Sequence, residues 1–481
     1  MAFREIRLIL ADPPNLHYNP YATSFPNIGL LCLAQYLKKK ISNIEIRYVS
    51  ASQSISDHMS IIGRFKPHLY GISISSPFAY SSYFHINNIK RIFQSILIIC
   101  GGPHPTAAPE HVLFNSKADI CCIGEGENVL LEIIQAFQKE LPITKIPGTA
   151  VKDQNGKIVN IARNENIHKI DIIDPPAWDL VADLKAFQGC RKARGKYSTA
   201  IVASRGCPFK CVFCSNPVWR KVIDECRFRS PEDLINEVLL LYSRGIREIY
   251  IRSDEMNLNS TWAISVFDAL AKLNLPDMHF QCNLRADNVT EELAFAMKQA
   301  RCWLCHIGVE SSSDRVLKGI KKGVTIGDIQ CATKILKKYK IKVYAFVMLY
   351  QIWEKDGKIK HETTLEVLKT LFFIISMRIH GLISFFSWGF ATPYPGSELF
   401  DICNKYKLIK NSIPLYKIIT PHIITINIPD VPKYQMVIMR SIGIFLQSIL
   451  FIFSLDSYNL NTLSINLRHA IYKMKSLLAI D

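Results

Sequence analysis

Short apolar runs alternate with segments of helical periodicity along most of this chain, and this alternation restricts its fold more than any other feature. The first series spans residues 5 to 139 and contains five apolar runs, rich in β-branched residues, with helical segments between them. Strands that are apolar along their whole length are buried on both faces, and strands separated by helices pair in parallel. Residues 1–140 are therefore predicted to form an α/β domain with a doubly wound, flavodoxin-like parallel sheet.

Small or polar residues stand at the carboxyl ends of four predicted strands in this first series. They are Pro13 and Pro14, Ser73 to Ser76, Gly101 and Gly102, and Gly124 and Gly126. Glycines at strand ends are often turn formers only, but ligands of a doubly wound sheet bind beyond these ends. Four ends of the same character predict the rim of a binding pocket. Neither GxGxxG nor GxxxxGK[ST] occurs there, so a dinucleotide or P-loop site is not predicted.

A second alternating series follows after an interruption. Residues 141–194 are predicted to be a linker, because they contain "DQNGK", which indicates a hairpin turn, and "DIIDPPAWDL", which indicates a proline-stiffened connector. Six strand–helix units follow in residues 195–400 and predict a partial (β/α)6 or a full β/α barrel, whose reacting groups lie where the strands end. Residues 401–481 are predicted to be a helical appendage.

The chain has an excess of basic residues, with 58 Lys and Arg against 41 Asp and Glu, which gives a net charge of +17. Such a charge attracts nucleic acid, anionic lipid or anionic cofactors, although a solvated basic surface is the simpler explanation. The sequence contains no compact basic arm, so a nucleic-acid partner is not expected. The apolar stretch 441–455 is 15 residues long, short of the roughly 20 that a membrane-spanning helix needs. It predicts a core or docking helix, with a membrane-surface helix and peripheral membrane contact as the alternative.

Fourteen cysteines are scattered over the chain. The first residues, "MAFREIRLILADPP", carry charges where a secretory signal needs an apolar stretch. A reduced, cytoplasmic location is therefore expected. There, clustered cysteines favour metal binding or catalysis over disulfides.

The stretch "RGCPFKCVFCSNP" places Cys207, Cys211 and Cys214 directly after the first strand of the second series. Thiolate ligands select zinc or iron–sulfur clusters over hard cations. Structural zinc needs a closed tetrahedron, which usually comes from two separated cysteine or histidine pairs. The other CxxC, Cys302 and Cys305, lies inside a buried strand pattern and is predicted to pack in the core.

A cluster held by three cysteines would leave one iron without a protein ligand, and such an open position allows a small molecule to be activated. CxxxCxxC at the end of the first barrel strand is a specific sign, and through it residues 195–400 resemble radical S-adenosylmethionine (SAM) enzymes. The resemblance implies a [4Fe-4S] cluster on the three cysteines, with SAM bound to the open iron. It also implies an external one-electron reductant, such as flavodoxin or ferredoxin. With that electron, SAM is cleaved to a 5′-deoxyadenosyl radical, which removes a hydrogen atom from the substrate.

Further motifs of the second series match this family in order along the chain. Asp254 and Glu255 in "RSDEMNLN" follow the second strand, where the family keeps an acidic motif that holds the methionine amine. Arg285 resembles the family's arginine on the third strand. "GVESSS" resembles the GxES motif after the fourth strand, so Glu310 and Ser311 are predicted to contact the methionine or ribose part of SAM.

The first series resembles the cobalamin-binding branch of the family through "PNIGLLCLAQYL", "GGPHPT", "GEGE" and the connector "DPPAWDL". Together the two resemblances cover about residues 5 to 400. They imply that cobalamin binds at the strand-end loops, and the predicted contacts are Ser73, Gly101, Gly102, His104, Gly124 and Gly126. The sequence contains no DxHxxG motif, so ligation of cobalt by a histidine is not expected. His104 could approach the corrin or its nucleotide tail, or could form a loop hydrogen bond.

One stretch departs from the family pattern. After the fifth strand the family usually has a G-x-PGET turn, whereas this chain reads "LYQIWEKDGKIKHETTLE", in which only Glu362 and Thr363 match. The longer, charged insertion is expected to change the adenine or substrate side of the pocket.

The resemblance implies methyl transfer to an unactivated carbon or phosphorus atom, with a lipid or an anionic natural-product precursor as the expected substrate. Radical ring formation or rearrangement without net methylation is the main alternative, and sulfur insertion into tRNA is a weaker one. A protein of a different class, which transfers electrons and does not cleave SAM, would need a fourth cysteine ligand, and none is placed for it.

Overall fold

The structure is a computed structural model, and it describes residues 5–14, 24–162, 170, 175–190, 192–220, 226–409 and 424–453. Each alternating series forms one parallel sheet with helices packed against it, so the predicted α/β architecture is confirmed. The predictions for residues 410–423 and 454–481 lie outside the described residues.

The first sheet has seven strands in the order β2-β1-β3-β4-β5-β6-β7. These strands are β1 Ile6–Ala11, β2 Ile44–Val49, β3 Leu69–Ser73, β4 Leu97–Gly101, β5 Ile120–Cys122, β6 Thr149–Lys152 and β7 Ile158–Ile161. Strands β1 to β5 pair in parallel, in the order expected of a flavodoxin-like sheet. The helices are α1 Ile28–Lys40, α2 Ile55–Phe65, α3 Ala79–Ile92, α4 Pro103–Ala107, α5 Pro109–Asn115 and α6 Gly126–Gln138. Helices α1 and α6 cover one face of the sheet, and α2, α3 and α5 cover the other.

The last two strands correct the predicted domain boundary. The "DQNGK" turn forms the predicted hairpin, but β6 pairs antiparallel with β5 and carries β7 beside it. The sheet therefore continues to Ile161, and the first domain ends after this residue and not at residue 140. Without the hairpin, β5 would be an edge strand with unpaired backbone groups.

The connector between the domains is anchored by Trp178. This side chain is 1% exposed, and its Nε1–H donates to Glu237 of the barrel at 2.8 Å. On the other side, the backbone N–H of Ala177 donates to the carbonyl of Leu31 in α1 at 3.1 Å. The chain is thus fixed to both domains where it passes between them. Residues 171–174, at the start of the predicted connector, lie outside the described residues.

The second sheet has six parallel strands in the order β8-β11-β12-β13-β14-β17. The strands of this half are β8 Ser198–Val202, β9 Ser204–Arg205, β10 Arg227–Phe228, β11 Glu248–Arg252, β12 His279–Leu284, β13 Cys302–Glu310, β14 Lys342–Leu349, β15 Ile352–Lys355, β16 Lys358–His361 and β17 Phe385–Phe390. The helices are α7 Pro217–Arg220, α8 Pro231–Ser243, α9 Ser260–Lys272, α10 Glu291–Gln299, α11 Asp314–Gly319, α12 Ile326–Lys338, α13 Thr364–Ile379, α14 Glu398–Lys405 and α15 Lys433–Phe453. Since β8 and β17 are the two edge strands, the partial (β/α)6 barrel is the predicted form that occurs.

Local sequence determines where the barrel helices begin. Seven of them start at a side chain that accepts a hydrogen bond from a backbone N–H of the first turn: Ser230, Asn259, Thr290, Ser313, Thr325, Thr363 and Ser397. Each such N-cap stabilises its helix by about 1 kcal/mol, because it satisfies an N–H that has no partner within the helix. The helices therefore start directly after the strand-end loops, which leaves these loops free to carry the site.

The C-terminal helix α15 packs against the edge strand β17. The Nε2–H of Gln447 donates to the carbonyl of Phe386 at 2.7 Å, and the Nε–H of Arg440 approaches the carbonyl of Trp388 at 3.4 Å. Over its described residues, the apolar stretch 441–455 is thus part of a docking helix, as predicted. Tyr434 and Phe445 on its outer side are 69% and 64% exposed. Among the helices in the described ranges, none combines the length and the apolar character that crossing a bilayer requires.

Two histidines are buried around a tyrosine in the first domain. The Tyr70 hydroxyl lies 3.2 Å from Nδ1 of His58 and 3.0 Å from Nε2 of His85. Burial lowers the pKa of His58 to about 4 and that of His85 to about 3. Both rings are therefore neutral in the folded protein at pH 7.

We predict that the protein loses stability as the pH falls from about 7 toward 5. In the unfolded chain a histidine takes up a proton near its ordinary pKa of about 6.5, whereas these two folded-state rings stay neutral to a much lower pH. Because the unfolded state binds more protons, each histidine removes about 1 kcal/mol of unfolding free energy between pH 7.5 and 5.5. Urea denaturation at several pH values measures this dependence.

The matched variants are His58→Asn and His380→Asn, the second of which replaces an exposed histidine. The pH dependence of the unfolding free energy is expected to become shallower in His58→Asn and to stay unchanged in His380→Asn. The same pH dependence in both variants would contradict the prediction.

Candidate functional site

The cysteine loop, residues 206–216, follows the first barrel strands and is held by its backbone. The N–H of Val212 donates to the carbonyl of Ile320 at 2.9 Å, and the carbonyl of Val212 accepts from the N–H of Leu399 at 2.8 Å. Leu399 lies in α14, in the last unit of the barrel, so this unit closes onto the segment that carries the cysteines. The loop is thus tied to two distant parts of the barrel.

The three thiols of this loop need a cation beside them to ionise. Burial raises the pKa of Cys207 to about 12 and that of Cys214 to about 11, and it also raises the pKa of Cys211. Iron ligation requires the thiolate, and the metal itself supplies the compensating charge. In the part of the chain that the structure describes, no three Cys, His, Asp or Glu side chains converge closely enough to hold a single metal ion. A cluster has no such requirement, because each thiolate binds a different iron.

The two acidic residues of "RSDEMNLN" have different surroundings. Asp254 accepts hydrogen bonds from the N–H of Gly206 at 2.8 Å and from Nδ2–H of Asn216 at 3.0 Å, one on each side of the three cysteines. The Glu255 carboxylate has no hydrogen-bond partner among the described residues, and burial raises its pKa to about 7. Asp254 therefore braces the cysteine loop, and of the two predicted contacts to the amine of SAM only Glu255 has a carboxylate that the loop does not occupy.

Arg285 supports the cysteine loop as well. Its guanidinium lies 3.5 Å from the ring centroid of Phe209 in this loop. It also donates to the carbonyl of Lys322 at 2.5 Å and to Asp287 at 3.0 Å. The side chain is 3% exposed, so these contacts within the protein occupy the arginine that the sequence predicts to bind SAM.

Glu310 has a buried carboxylate oxygen without a partner. Its Oε1 lies 3.2 Å from Nζ of Lys322, while Oε2 is buried and has no hydrogen-bond partner among the described residues. The residue has a φ of 62°, in the left-handed region. Gly308 lies two positions earlier, and a Cβ there would overlap Oε1 of Glu310, so a side chain at this position would displace the carboxylate. A buried acceptor without a donor is destabilising unless a ligand supplies one, and the amine and hydroxyl groups of SAM are such donors. The site therefore fits SAM.

Ser311 and Glu362 belong to a separate buried cluster. The Ser311 hydroxyl donates to Oε1 of Glu362 at 2.6 Å, and the N–H of Tyr350 donates to Oε2 at 2.7 Å. Burial raises the pKa of Glu362 to about 7. Ser311 is fully buried, and its predicted contact with SAM would compete with the bond to Glu362. The insertion that departs from the family pattern forms the β15–β16 hairpin, directly before Glu362.

The loops predicted to bind cobalamin meet at the carboxyl edge of the first sheet. Ser73 pairs with Gly101 at the ends of β3 and β4. Gly102 has a φ of 98°, and a Cβ there would lie 3.0 Å from Oγ of Ser73. Gly124 has a φ of 82°, and its N–H donates to Oγ1 of Thr106 at 3.1 Å. Glycine backbone thus lines this edge, which we term the glycine edge.

His104 and Gly126 make contacts within the first domain. His104 is 1% exposed, with Nδ1 3.0 Å from Oγ of Ser76 and Nε2 2.8 Å from the Tyr83 hydroxyl. Both ring nitrogens have partners, as expected of the loop hydrogen bonding that the sequence left open. A Cβ on Gly126 would lie 3.2 Å from the side chain of Leu33, so this glycine allows α6 to pack on α1.

Four charged residues that the sequence analysis missed join the glycine edge to the cysteine loop. Glu125 lies 3.2 Å from Arg205 and 2.6 Å from Arg227, and Glu127 lies 2.8 Å from Arg205. Although burial works against ionisation, Arg227 and Arg205 hold the pKa of Glu125 below its usual value. We term these four residues the interdomain clamp. "GEGE" was the only signal for it, and a sequence does not reveal which cations such a motif will meet.

Comparison with known proteins identifies the same two domains in the same order. The family model of the radical SAM superfamily matches residues 201–356, and that of the B12 binding domain matches residues 19–134. An uncharacterized methyltransferase of Pyrococcus horikoshii is 30% identical over 416 residues, which are 85% of this chain and 86% of that protein. An anaerobic magnesium-protoporphyrin IX monomethyl ester cyclase of Cereibacter sphaeroides is 24% identical, over 81% of this chain and 62% of that protein. The structure of the cobalamin-dependent SAM radical enzyme OxsB with aqua-cobalamin and SAM bound has a TM-score of 0.73 at 17% identity, and the match covers 92% of this chain and 67% of OxsB.

A cobalamin-binding domain followed by a radical SAM barrel defines a class of enzyme. The chain belongs to the cobalamin-binding radical SAM family. Its cofactors are a [4Fe-4S] cluster, SAM and cobalamin. The individual residues assigned to each cofactor stay predictions, and the two variants below test those that the structure distinguishes.

Replacement of Asp254 with Ala is expected to lower the iron content of the reconstituted protein, because the cysteine loop loses both braces. Replacement of Glu255 with Gln is expected to preserve the iron content and to weaken SAM binding about tenfold, since a hydrogen bond to a charged group is lost. Iron analysis and anaerobic calorimetric titration with SAM measure the two effects. Asp268→Ala, at an exposed position of α9, is the control. Full iron content in Asp254→Ala, or iron loss in Glu255→Gln, would refute this division of roles.

Glu125→Gln is expected to destabilise the contact between the domains by about 3 kcal/mol, because it removes one partner of a buried ion pair. The variant should unfold at a lower temperature and retain less cobalamin, while its iron content stays near that of the unaltered protein. Calorimetry and the corrin absorption spectrum measure these changes. Glu110→Gln, at an exposed position of α5, is the control, and a Glu125→Gln protein indistinguishable from it would show that the clamp does not couple the domains.

Proposed function

We propose that this enzyme transfers a methyl group from cobalamin to an unactivated carbon or phosphorus atom of a small-molecule substrate. The observation that carries the proposal is the interdomain clamp, which holds the glycine edge against the cysteine loop. Radical methylation needs this proximity, because hydrogen removal and methyl delivery act on the same substrate atom. The similarity to a Pyrococcus horikoshii protein that is named as a methyltransferase supports the proposal.

In this proposal the protein binds SAM, cobalamin and the substrate, orients them, and excludes water from the site. A cluster held by Cys207, Cys211 and Cys214 would supply the electron for the cleavage of SAM, and cobalamin bound at the glycine edge would supply the methyl group. Glu255 and Glu310 hold the donor groups of SAM, and Asp254 keeps the cysteine loop in one position. The clamp sets the distance between the two cofactor sites. An external one-electron reductant such as flavodoxin or ferredoxin supplies the electrons.

Ring formation or rearrangement without net methylation is the second candidate. It is favoured by the similarity to the Cereibacter sphaeroides protein, which is named as a cyclase. Both reactions begin with the removal of a substrate hydrogen, so the same SAM site serves either. They differ in whether the methyl group of SAM reaches the product.

Reconstituted, reduced protein is expected to convert SAM to 5′-deoxyadenosine, and Cys211→Ala is expected to abolish this conversion, because the cluster loses one of three ligands. Cys331→Ala, which replaces an exposed cysteine of α12, is expected to cleave SAM normally. Chromatography measures the product, and the corrin spectrum of each variant checks that the first domain is intact. Unchanged cleavage in Cys211→Ala would overturn the assignment.

The same preparation distinguishes the two candidate reactions. It is incubated with methyl-labelled SAM and cell extract, and the label is traced among the small molecules that form. Methyl transfer predicts label in a new product, whereas ring formation predicts that a substrate is consumed without gaining label.

A further inference from the structure

The barrel sheet has an inner face that lies opposite its helices. Ile307 of β13 packs into the core formed with the helices, so its neighbours His306 and Gly308 lie on the inner face. Tyr344 and Phe346 of β14 pair in register with these two residues and therefore share that face.

Four rings on this face form what we term the inner wall: Tyr250, His306, Tyr344 and Phe346. The centroid of the His306 ring lies 4.9 Å from that of Tyr250, 5.4 Å from that of Tyr344 and 5.9 Å from that of Phe346. The planes of Tyr344 and Phe346 are inclined by only 22° and 23° to that of His306. Phe346 is 43% exposed although it lies on the inner face. A flat molecule that stacks on these rings would cover this apolar surface.

His306 adds no charge to the inner wall. Burial, together with the positive charge of Arg252, lowers its pKa to about 4. Gln281 donates from Nε2 to Glu248 and to the carbonyl of Lys192, so its Oε1 accepts from Nε2–H of His306 at 3.1 Å. The neutral ring therefore carries its proton on Nε2 and none on Nδ1. Nδ1 is buried without a hydrogen-bond partner among the described residues, and such an orphan acceptor marks a place that a ligand or water completes.

Arg252 supplies the positive charge beside the wall. It is exposed at the end of β11, with its guanidinium 5.8 Å from the ring centroid of Tyr250. Across the described ranges no ion pair joins it to a carboxylate, in contrast to Arg205 and Arg227 of the clamp. A guanidinium binds a carboxylate through two parallel hydrogen bonds, so this residue is suited to an anionic group of a ligand.

The opposite end of the inner face is closed. Glu248 is fully buried and accepts from Nε1–H of Trp303 at 2.8 Å and from the N–H of Gly195 at 2.7 Å. These groups fill the barrel at the amino ends of its strands. The inner wall therefore opens toward the carboxyl ends, where β13 runs on to Glu310.

We propose that the inner wall binds the ring system of a planar, conjugated substrate and that Arg252 binds its carboxylate. This inference rests on the proposed function, because it names the substrate class for the same site. The exposed surface of Phe346 continues a group of stacked aromatic rings, and such a surface favours a flat, conjugated partner, whereas an alkyl chain packs equally well on branched aliphatic side chains. The structure thus points to a flat aromatic acid in place of the lipid that the sequence left open.

The test measures the binding of three carboxylates to the reconstituted holoenzyme by saturation-transfer NMR. 2-Naphthoate is flat, decahydro-2-naphthoate has the same carbon skeleton without the flat rings, and decanoate represents a lipid. We expect 2-naphthoate to bind at least fivefold more tightly than the other two. Phe346→Leu is expected to weaken its binding about fivefold, and Arg252→Gln about tenfold. Phe372→Leu and Arg64→Gln, at exposed positions of α13 and α2, are the matched controls, and circular dichroism checks that every variant is folded.

Equal binding of 2-naphthoate and its saturated counterpart, a preference for decanoate, or unchanged affinity in Phe346→Leu or in Arg252→Gln would overturn the inference. SAM cleavage is measured on the same unaltered holoenzyme. A protein that cleaves SAM and does not discriminate among the probes refutes this inference alone. A protein that discriminates among them and does not cleave SAM refutes the proposed function alone.

Discussion

The buried ion pairs of the interdomain clamp hold the two domains together, so that the glycine edge and the cysteine loop belong to one site. A buried carboxylate is costly unless cations meet it, and Glu125 meets two arginines in a setting where water screens little of their attraction. Such pairs do more for orientation than for net stability, because desolvation offsets much of the attraction. Arg205 stands two positions before Cys207, so the position of the first domain and that of the cysteine loop are mechanically linked. In the proposed function, the placement of cobalamin relative to SAM depends on this link.

Much of the fold could be predicted from local signals. Helix α8 begins at Pro231 because Ser230 caps it and proline suits its first turn. The attachment of the β6–β7 hairpin to β5 could not be predicted in this way. Pairing between separate segments leaves no local pattern, and a hairpin turn alone does not say which strand it will join. The domain boundary was therefore placed too early.

The residues of the candidate site could likewise be predicted only where the signal in the sequence is local. The three cysteines were evident because their spacing is local, whereas two neighbouring carboxylates look alike in sequence, and only contacts made from elsewhere in the barrel distinguish Asp254 from Glu255. The pairing register shifts between Gly308 and Glu310, and the left-handed backbone at Glu310 breaks the simple alternation of side chains. Ser311 thus joins Glu362 in the core, which no strand pattern would predict. The inner wall was missed because its rings come from three strands.

An open barrel has two edges, and the edge at β17 is covered by helix α15. The carbonyls of Phe386 and Trp388 face outward, where a further strand would bind them, and α15 occupies that place with Gln447 and Arg440. Exposed edges recruit strands from other molecules, and α15 leaves less of this edge open to them. A shortened chain that ends before α15 would retain every residue predicted to hold a cofactor, and we expect it to self-associate through this edge.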